Sequence, residues 1–254
     1  MQDLFSLKDK VALITGSTKG IGLSIAETYA AAGAKVVISS RKAEACEAVA
    51  NELREKGFEA IAKPCHIGDK AQLQGLVDTT LATWGKIDVL VCNAATNPVY
   101  GPLSELTDEA WDKIMDTNVK STFWLCNMVL PGMAEAAGGS VILLSSIAAI
   151  KGNDKIGCYG MSKAAEAALT RNLAVEWGPK GIRVNAIAPG VVVTDFAKAL
   201  VEDPKRKAIV ENQTPLRRLG QPIDIAGVAQ FLATDASAYM TGQYLVADGG
   251  TTIC

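Results

Sequence analysis

Apolar residues along this chain follow two alternating patterns. Short runs of consecutive, often β-branched apolar residues are separated by longer amphipathic stretches, the pattern of strands and helices alternating about a parallel sheet. Strands are expected at 10–15 (KVALIT), 34–40 (AKVVISS), 59–65 (EAIAKPC), 87–94 (IDVLVCNA), 140–146 (SVILLSS), 182–189 (IRVNAIAP) and 244–249 (YLVADG). Their nearly unbroken apolar character fits strands covered on both faces. Helices are expected at 20–32, 42–56, 69–84, 107–131, 159–178 and 222–234. Asp69, Thr107 and Asp108 stand where N-caps belong, and Gly33, Gly57 and Gly85 follow helix ends. The segment 191–216 has no clear period; it predicts short helices over an active site, a substrate lid.

Length and composition fit one domain over 1–254: 254 residues with 49% hydrophobic content bury a core of their own, and no repeat or linker divides the chain. Seven strands alternating with helices predict an α/β fold, a single doubly wound Rossmann-type domain with a seven-stranded, mostly parallel sheet and helices on both faces. The formal net charge is −2 and the two signs are interspersed, which argues against a nucleic-acid or membrane surface and for a small-molecule partner. Charges break up the N-terminal apolar residues, and no later stretch is long enough for a membrane span, so a soluble, cytoplasmic protein is expected. Six scattered cysteines read as small core residues in a reducing compartment, with neither disulfide nor metal site expected. His66 is the only histidine, so a zinc helix bearing two histidines is impossible.

TGSTKGIG (Thr15 to Gly22) directly follows the first strand and opens the first helix. Gly16, Ser17, Thr18, Lys19, Gly20, Ile21 and Gly22 thus form a strand-to-helix turn, where the backbone can approach a pyrophosphate and a helix N-terminus faces it. The spacing differs from the usual G-x-G-x-x-G. Beyond the second strand, where an acidic residue would bond a ribose 2′-hydroxyl, the chain has Ser39, Ser40, Arg41 and Lys42. Arg41, with Lys19 in the loop, suits a 2′-phosphate and points to NADP, while solvated cations at a helix start leave NAD open.

Ser145 and Ser146 end the fifth strand, and Tyr159 and Lys163 stand four apart at the start of the next helix, on one face. A free tyrosine ionises near pH ~10; a neighbouring ammonium favours its phenolate, so Lys163 would make Tyr159 a usable acid/base. A Ser146 hydroxyl can bond a substrate oxygen.

With these motifs in this order, nearly the whole chain resembles the short-chain dehydrogenase/reductase family. The resemblance selects Ser146 over Ser145, since the family's serine precedes its tyrosine by thirteen residues, and it marks Asn118 in DTNVKSTF as the fourth catalytic residue, whose carbonyl holds a water linked to Lys163. It also gives Lys163 a bond to the nicotinamide ribose. In CNAAT, Asn93 would support the sheet while Ala94 and Ala95 leave room for the adenosine ribose; Ala95 stands where glycine is commoner. In NAIAPGVVVT, Pro189 and Gly190 turn the chain, and Val192 and Thr194 meet the carboxamide. His66 and Ile67 replace the family's frequent Asp-Val, so His66 would either contact adenine or cap the next helix.

The resemblance implies hydride transfer between NADP(H) or NAD(H) and a ketone, aldehyde or secondary alcohol, in a homotetramer paired through the helices at 107–131 and 159–178. SSRK, CHIGD, NAATNP, LSSIAAI and RRLGQP are most similar to the NADPH-dependent carbonyl and retinol reductase branch, which often ends in a peroxisomal tripeptide where this chain ends TIC. A 3-oxoacyl-[acyl-carrier-protein] reductase is the alternative and needs a basic docking patch, for which Lys205, Arg206, Lys207, Arg217 and Arg218 are the candidates. A non-catalytic nucleotide-binding sensor is a further alternative, against which all four catalytic positions are filled. Substrate choice is assigned to 96–103, 150–157 and the lid.

Overall fold

A computed structural model describes residues 4–197 and 203–254. Seven strands among these residues form one sheet: β1 (Val11–Thr15), β2 (Lys35–Ser39), β3 (Ala60–Ala62), β4 (Val89–Cys92), β5 (Gly139–Leu144), β6 (Ile182–Pro189) and β7 (Tyr244–Ala247). Their order is β3-β2-β1-β4-β5-β6-β7, and every pairing is parallel, so the sheet expected to be mostly parallel is wholly so. The order reverses beside β1, which is flanked by β2 and β4. A crevice opens there beyond the carboxyl ends of the strands, where ligands of open α/β sheets bind.

Successive strand residues point to opposite faces, and the two faces carry separate cores. Ala12 and Ile14 of β1 pack with α1 (Gly20–Ala31), α2 (Ala43–Glu55) and α8 (Pro222–Ala233) on one face. Leu13 packs on the other with α3 (Lys70–Trp84), α5 (Ser121–Glu135) and α6 (Gly157–Trp177). The Tyr29 hydroxyl donates to Ala229 O at 2.8 Å and ties α1 to α8.

The expected strands all exist; β6 has the expected bounds, and the others are shorter because residues past each ladder end lose their parallel partner. The helix expected over 107–131 is three segments: α4 (Asp108–Met115), a π-helical turn (Asp116–Lys120) and α5. Thr107, not Asp108, caps α4, its side chain accepting the Ala110 N–H. Pro131 does not stop α5; buried Leu130 and Met133 hold its last turn against the core despite the missing N–H. The proposed lid contains a 3-10 turn (Asp195–Ala197) and α7 (Pro204–Gln213), capped by Asp203; its residues 198–202 lie outside the described residues.

Candidate active site

At the phosphate end the chain leaves β1 through Gly16 (φ +68°) and Gly20 (φ +57°), conformations strained for an L side chain. Gly22 is required for another reason: a Cβ there would collide with the Gly16 carbonyl oxygen and Asn93 Nδ2. Asn93 holds the turn, Nδ2 donating to Thr15 O at 2.8 Å and Gly16 O at 3.2 Å. The Asn93 and Ala94 N–H groups both donate to Thr15 Oγ1. No side chain caps α1, so its first-turn N–H donors are left for a ligand. A Cβ on Gly20 would lie 3.1 Å from Thr194 Cγ2, so the loop faces the segment expected to receive the nicotinamide. Left-handed glycines, an uncapped helix start and a facing Thr194 fit a dinucleotide.

Not every predicted contact residue faces that cradle. Ser17 is buried, its hydroxyl donating to Ile14 O at 2.8 Å and accepting the Ser39 N–H at 2.8 Å, so it fastens the loop to β2. Ile21 packs into the core. Thr18 is half-buried, and Ala95 is half-buried beside Ala94 at the end of β4. Lys19 pairs with Asp195 at 2.9 Å across the crevice, whereas Arg41 is exposed and makes no ion pair among the described residues. Ser40 turns to Cys46, its N–H and hydroxyl both near the sulfur. The His66 Nδ1 accepts the Gly68 N–H at 3.1 Å, so the ring closes the turn that precedes α3, while Asp69 caps that helix. Ile67 lines a small cleft with Thr15, Cys92 and Ala94. Pro189 ends β6; Gly190 passes so close to Asp248 that a Cβ would stand 2.8 Å from its Cα. Val192 forms a parallel bridge with Gly220, and Thr194 Oγ1 donates to Val192 O at 3.4 Å.

At the chemical end the predicted residues converge. Gly160 lets α6 approach the turn after β5, since a Cβ would meet the Ala148 carbonyl oxygen at 2.6 Å. This brings Tyr159 near enough to the Ser146 side chain for that hydroxyl to lower the phenol, while Ser146 Oγ accepts the Ala148 N–H at 3.1 Å. Lys163 Nζ lies 5.6 Å from the Tyr159 ring centroid. Asn118, in the π turn, is fully buried; its side chain bonds the Thr96 backbone in both directions and donates to Ser162 Oγ at 3.0 Å. Ser162 in turn donates to Tyr159 O at 2.7 Å. The Asn118 carbonyl accepts the Thr122 hydroxyl at 2.8 Å.

The electrostatics differ from the simple expectation that Lys163 depresses the Tyr159 phenol. Burial pushes the phenol above its ordinary value; Lys163 and the Ser146 hydroxyl pull it down, Glu166 and Tyr244 push it up, and burial prevails. Glu166 is the reason Lys163 does less. The ammonium donates to Glu166 Oε2 at 2.9 Å, Oε1 at 3.1 Å and Leu144 O at 2.7 Å. Burial alone would lower the Lys163 ammonium, but the charges of Glu166 and Tyr159 raise it. Burial pushes the Glu166 carboxyl up to about 7 against the pull of Lys163.

Glu166 and Tyr244 are absent from the sequence reading. An acidic residue inside KAAEAALT, three positions after Lys163, was the available signal for the first. Tyr244 had none: its hydroxyl donates to Ser146 O and lies 3.1 Å from Ser145 Oγ, partners that lie far away in the chain. The two stretches assigned to substrate choice meet at Tyr159: Asn97, Val99 and Gly101 face Lys155, Ile156 and Gly157 across a cleft completed by Leu103, Leu106 and Ile114. From the lid segment, the Phe196 ring lies 5.6 Å from that of Tyr159, tilted by 41°.

A family model described as Enoyl-(Acyl carrier protein) reductase matches residues 16–252. The chain is 42% identical to dehydrogenase/reductase SDR family member 4 of Sus scrofa, over 96% of this chain and 88% of the relative. It is also 42% identical to short-chain dehydrogenase/reductase SDRA of Arabidopsis thaliana, over 96% of this chain and 95% of that one. Among solved structures, a 7α-hydroxysteroid dehydrogenase complexed with NADH and 7-oxo glycochenodeoxycholic acid superposes with a TM-score of 0.94 at 38% identity, covering 98% of each chain. A gluconate 5-dehydrogenase from Burkholderia cenocepacia, in complex with NADP and tartrate, superposes with a TM-score of 0.95 at 34% identity, covering 99% of this chain and 98% of that one. The chain belongs to the short-chain dehydrogenase/reductase family and is an NAD(P)-dependent oxidoreductase that interconverts carbonyls and alcohols.

Proposed function

We propose that this enzyme reduces ketones or aldehydes with NADPH, and runs the reverse oxidation of secondary alcohols, with Tyr159 giving or taking the proton at the substrate oxygen. The observation that carries this reading is that Tyr159 lines the 97–103 and 155–157 cleft with the Lys163 ammonium 5.6 Å from its ring centroid. Ser146 holds the substrate oxygen, and Tyr159, kept protonated at neutral pH by its burial, is in the form that donates. Lys163 stands behind Tyr159 as its charge partner, and Asn118 fixes the backbone at Thr96 and Tyr159 that frames the cleft. When bound, the nicotinamide supplies or takes up the hydride. Gly16, Gly20, Gly22 and the first turn of α1 would hold the pyrophosphate, Ala94 and Ile67 border the adenosine side, and Gly190, Val192 and Thr194 the nicotinamide side. Tyr159→Phe tests the reading: turnover should vanish in a nicotinamide absorbance assay while cofactor titration changes little, and retained turnover would discard Tyr159 as the acid.

NADPH is preferred over NADH in this reading because the unpaired Arg41, with Ser40, stands where a 2′-phosphate would lie and no carboxylate opposes it. Carrier-protein docking has less net positive charge to draw on than the sequence offers, since three of its five candidate cations, Arg206, Lys207 and Arg218, are paired with Asp203, Glu211 and Asp224 respectively. We further infer a single domain over 1–254, since both cores share one sheet, and a cytoplasmic homotetramer. Exposed Trp111 on α4, Phe123 on α5 and Met161 and Val175 on α6 support the assembly, and a monomer mass in light scattering would refute it. No helix among the described residues is long and apolar enough to cross a membrane.

A further inference from the structure

An ammonium has three protons to give, and Lys163 directs all three inward: to Leu144 O at the end of β5 and to both oxygens of Glu166 one turn along α6. Both side chains of this pair are only 2% exposed. A buried lysine whose donors are all taken presents little of its charge elsewhere, and the phenol it is meant to serve shares the same helix and the same enclosed space.

We propose that Glu166 is a positioning residue for the reaction, acting through Lys163: its carboxylate grips the ammonium and offsets the charge that would otherwise stabilise the Tyr159 phenolate. The proposal rests on the reading of Tyr159 as proton donor and acceptor, and it makes that donor a deliberately weak acid, suited to carbonyl reduction near neutrality. Other titratable groups facing the pair are few. Tyr159 shares α6, Tyr244 approaches from β7, Cys92 from β4 and Cys126 from α5. The Cys92 thiol is pushed up by its bond to Cys126 and by burial, and burial also pushes up the Tyr244 phenol, so neither supplies charge near neutral pH. Glu166 is therefore the carboxylate that answers Lys163. Since burial brings its carboxyl to about 7, its grip tightens as pH rises through neutrality and relaxes below.

Phenolate absorbance is titrated in the enzyme without cofactor or substrate, with the Tyr159→Phe spectrum subtracted to isolate one tyrosine. Glu166→Gln keeps an acceptor for Lys163 but removes the charge, leaving the Tyr159 phenolate as the counter-ion. At a given pH it should show about tenfold more phenolate than wild type, and alcohol oxidation, which needs the phenolate, should rise at correspondingly lower pH. Glu166→Asp, which retains the charge but withdraws it by one methylene, should fall between the two and decides the matter if Glu166→Gln does not fold. Superimposable titrations, or a Tyr159 that ionises at higher pH in either variant, would overturn the proposal. The titration involves neither NADPH nor a carbonyl, so its failure is distinct from failure of the proposed activity, which Tyr159→Phe turnover reads.

Discussion

Two lysines serve the two ends of the crevice, and each sits 2.9 Å from a carboxylate. Lys19 and Asp195 have side chains 70% and 69% exposed; those of Lys163 and Glu166 are 2% exposed. The same separation therefore means different things. In water the Lys19 pair is screened and contributes roughly 0–1 kcal/mol, so a phosphate can displace Asp195 at little cost. Inside the protein, removing either partner of the Lys163 pair strands a charge without solvent. The phosphate end is built from backbone shape and exchangeable surface charge, and the chemical end from buried charges that fix one another.

The largest effect should come from breaking the buried pair. Lys163→Ala leaves Glu166 enclosed without a partner, at a cost that reaches about 3–5 kcal/mol in thermal or denaturant unfolding above neutral pH, where the carboxyl must ionise. The sign of its pH dependence follows from the raised Glu166 carboxyl. A group whose folded pKa lies above its unfolded value of 4.5 stabilises fully below that value and loses the contribution as pH rises through the folded one, about 7 in wild type and higher without the lysine. The penalty should be least in acid and grow as pH rises through neutrality; a penalty independent of pH would assign it to lost packing alone.

Next in size is Gly22→Ala, which sets a methyl against the Gly16 carbonyl and the Asn93 amide. Overpacking against backbone costs about 1–3 kcal/mol, and cofactor affinity should fall with stability because the same turn serves both. Normal affinity in this variant would show that the cradle yields. Smaller still, Arg41→Asp should reverse a preference of about tenfold for NADPH over NADH, with NADH binding nearly unchanged. An unaltered ratio in a pair of fluorescence titrations would move the cofactor to NAD. The least effect belongs to Asp195→Asn, which frees Lys19 of an exposed partner and should tighten both cofactors by about threefold or less. A larger gain would mean that this surface pair is held more firmly than its exposure allows.

The sequence by itself determined the α/β class, the number of strands and their succession along the chain, the positions of Gly16, Gly20 and Gly22, and the placing of Ser146 and Lys163 with Tyr159. Each was legible because its signal is local: an apolar run, a glycine between strand and helix, an i, i+4 pair on one helix face. Where local signals meet tertiary context, the reading stopped. A run of helical residues from 107 to 131 gave no sign of the π turn that buries Asn118, because that turn answers to Thr96 and Ser162 across the fold. Ser17 and Lys19 look equivalent within a phosphate loop, yet the folded chain turns one into β2 and extends the other to Asp195. Lys163 was read as an ammonium beside a phenol. Only the tertiary structure decided how much of its charge reaches Tyr159, because burial raises the phenol most and removes the solvent that would screen Glu166 from Lys163.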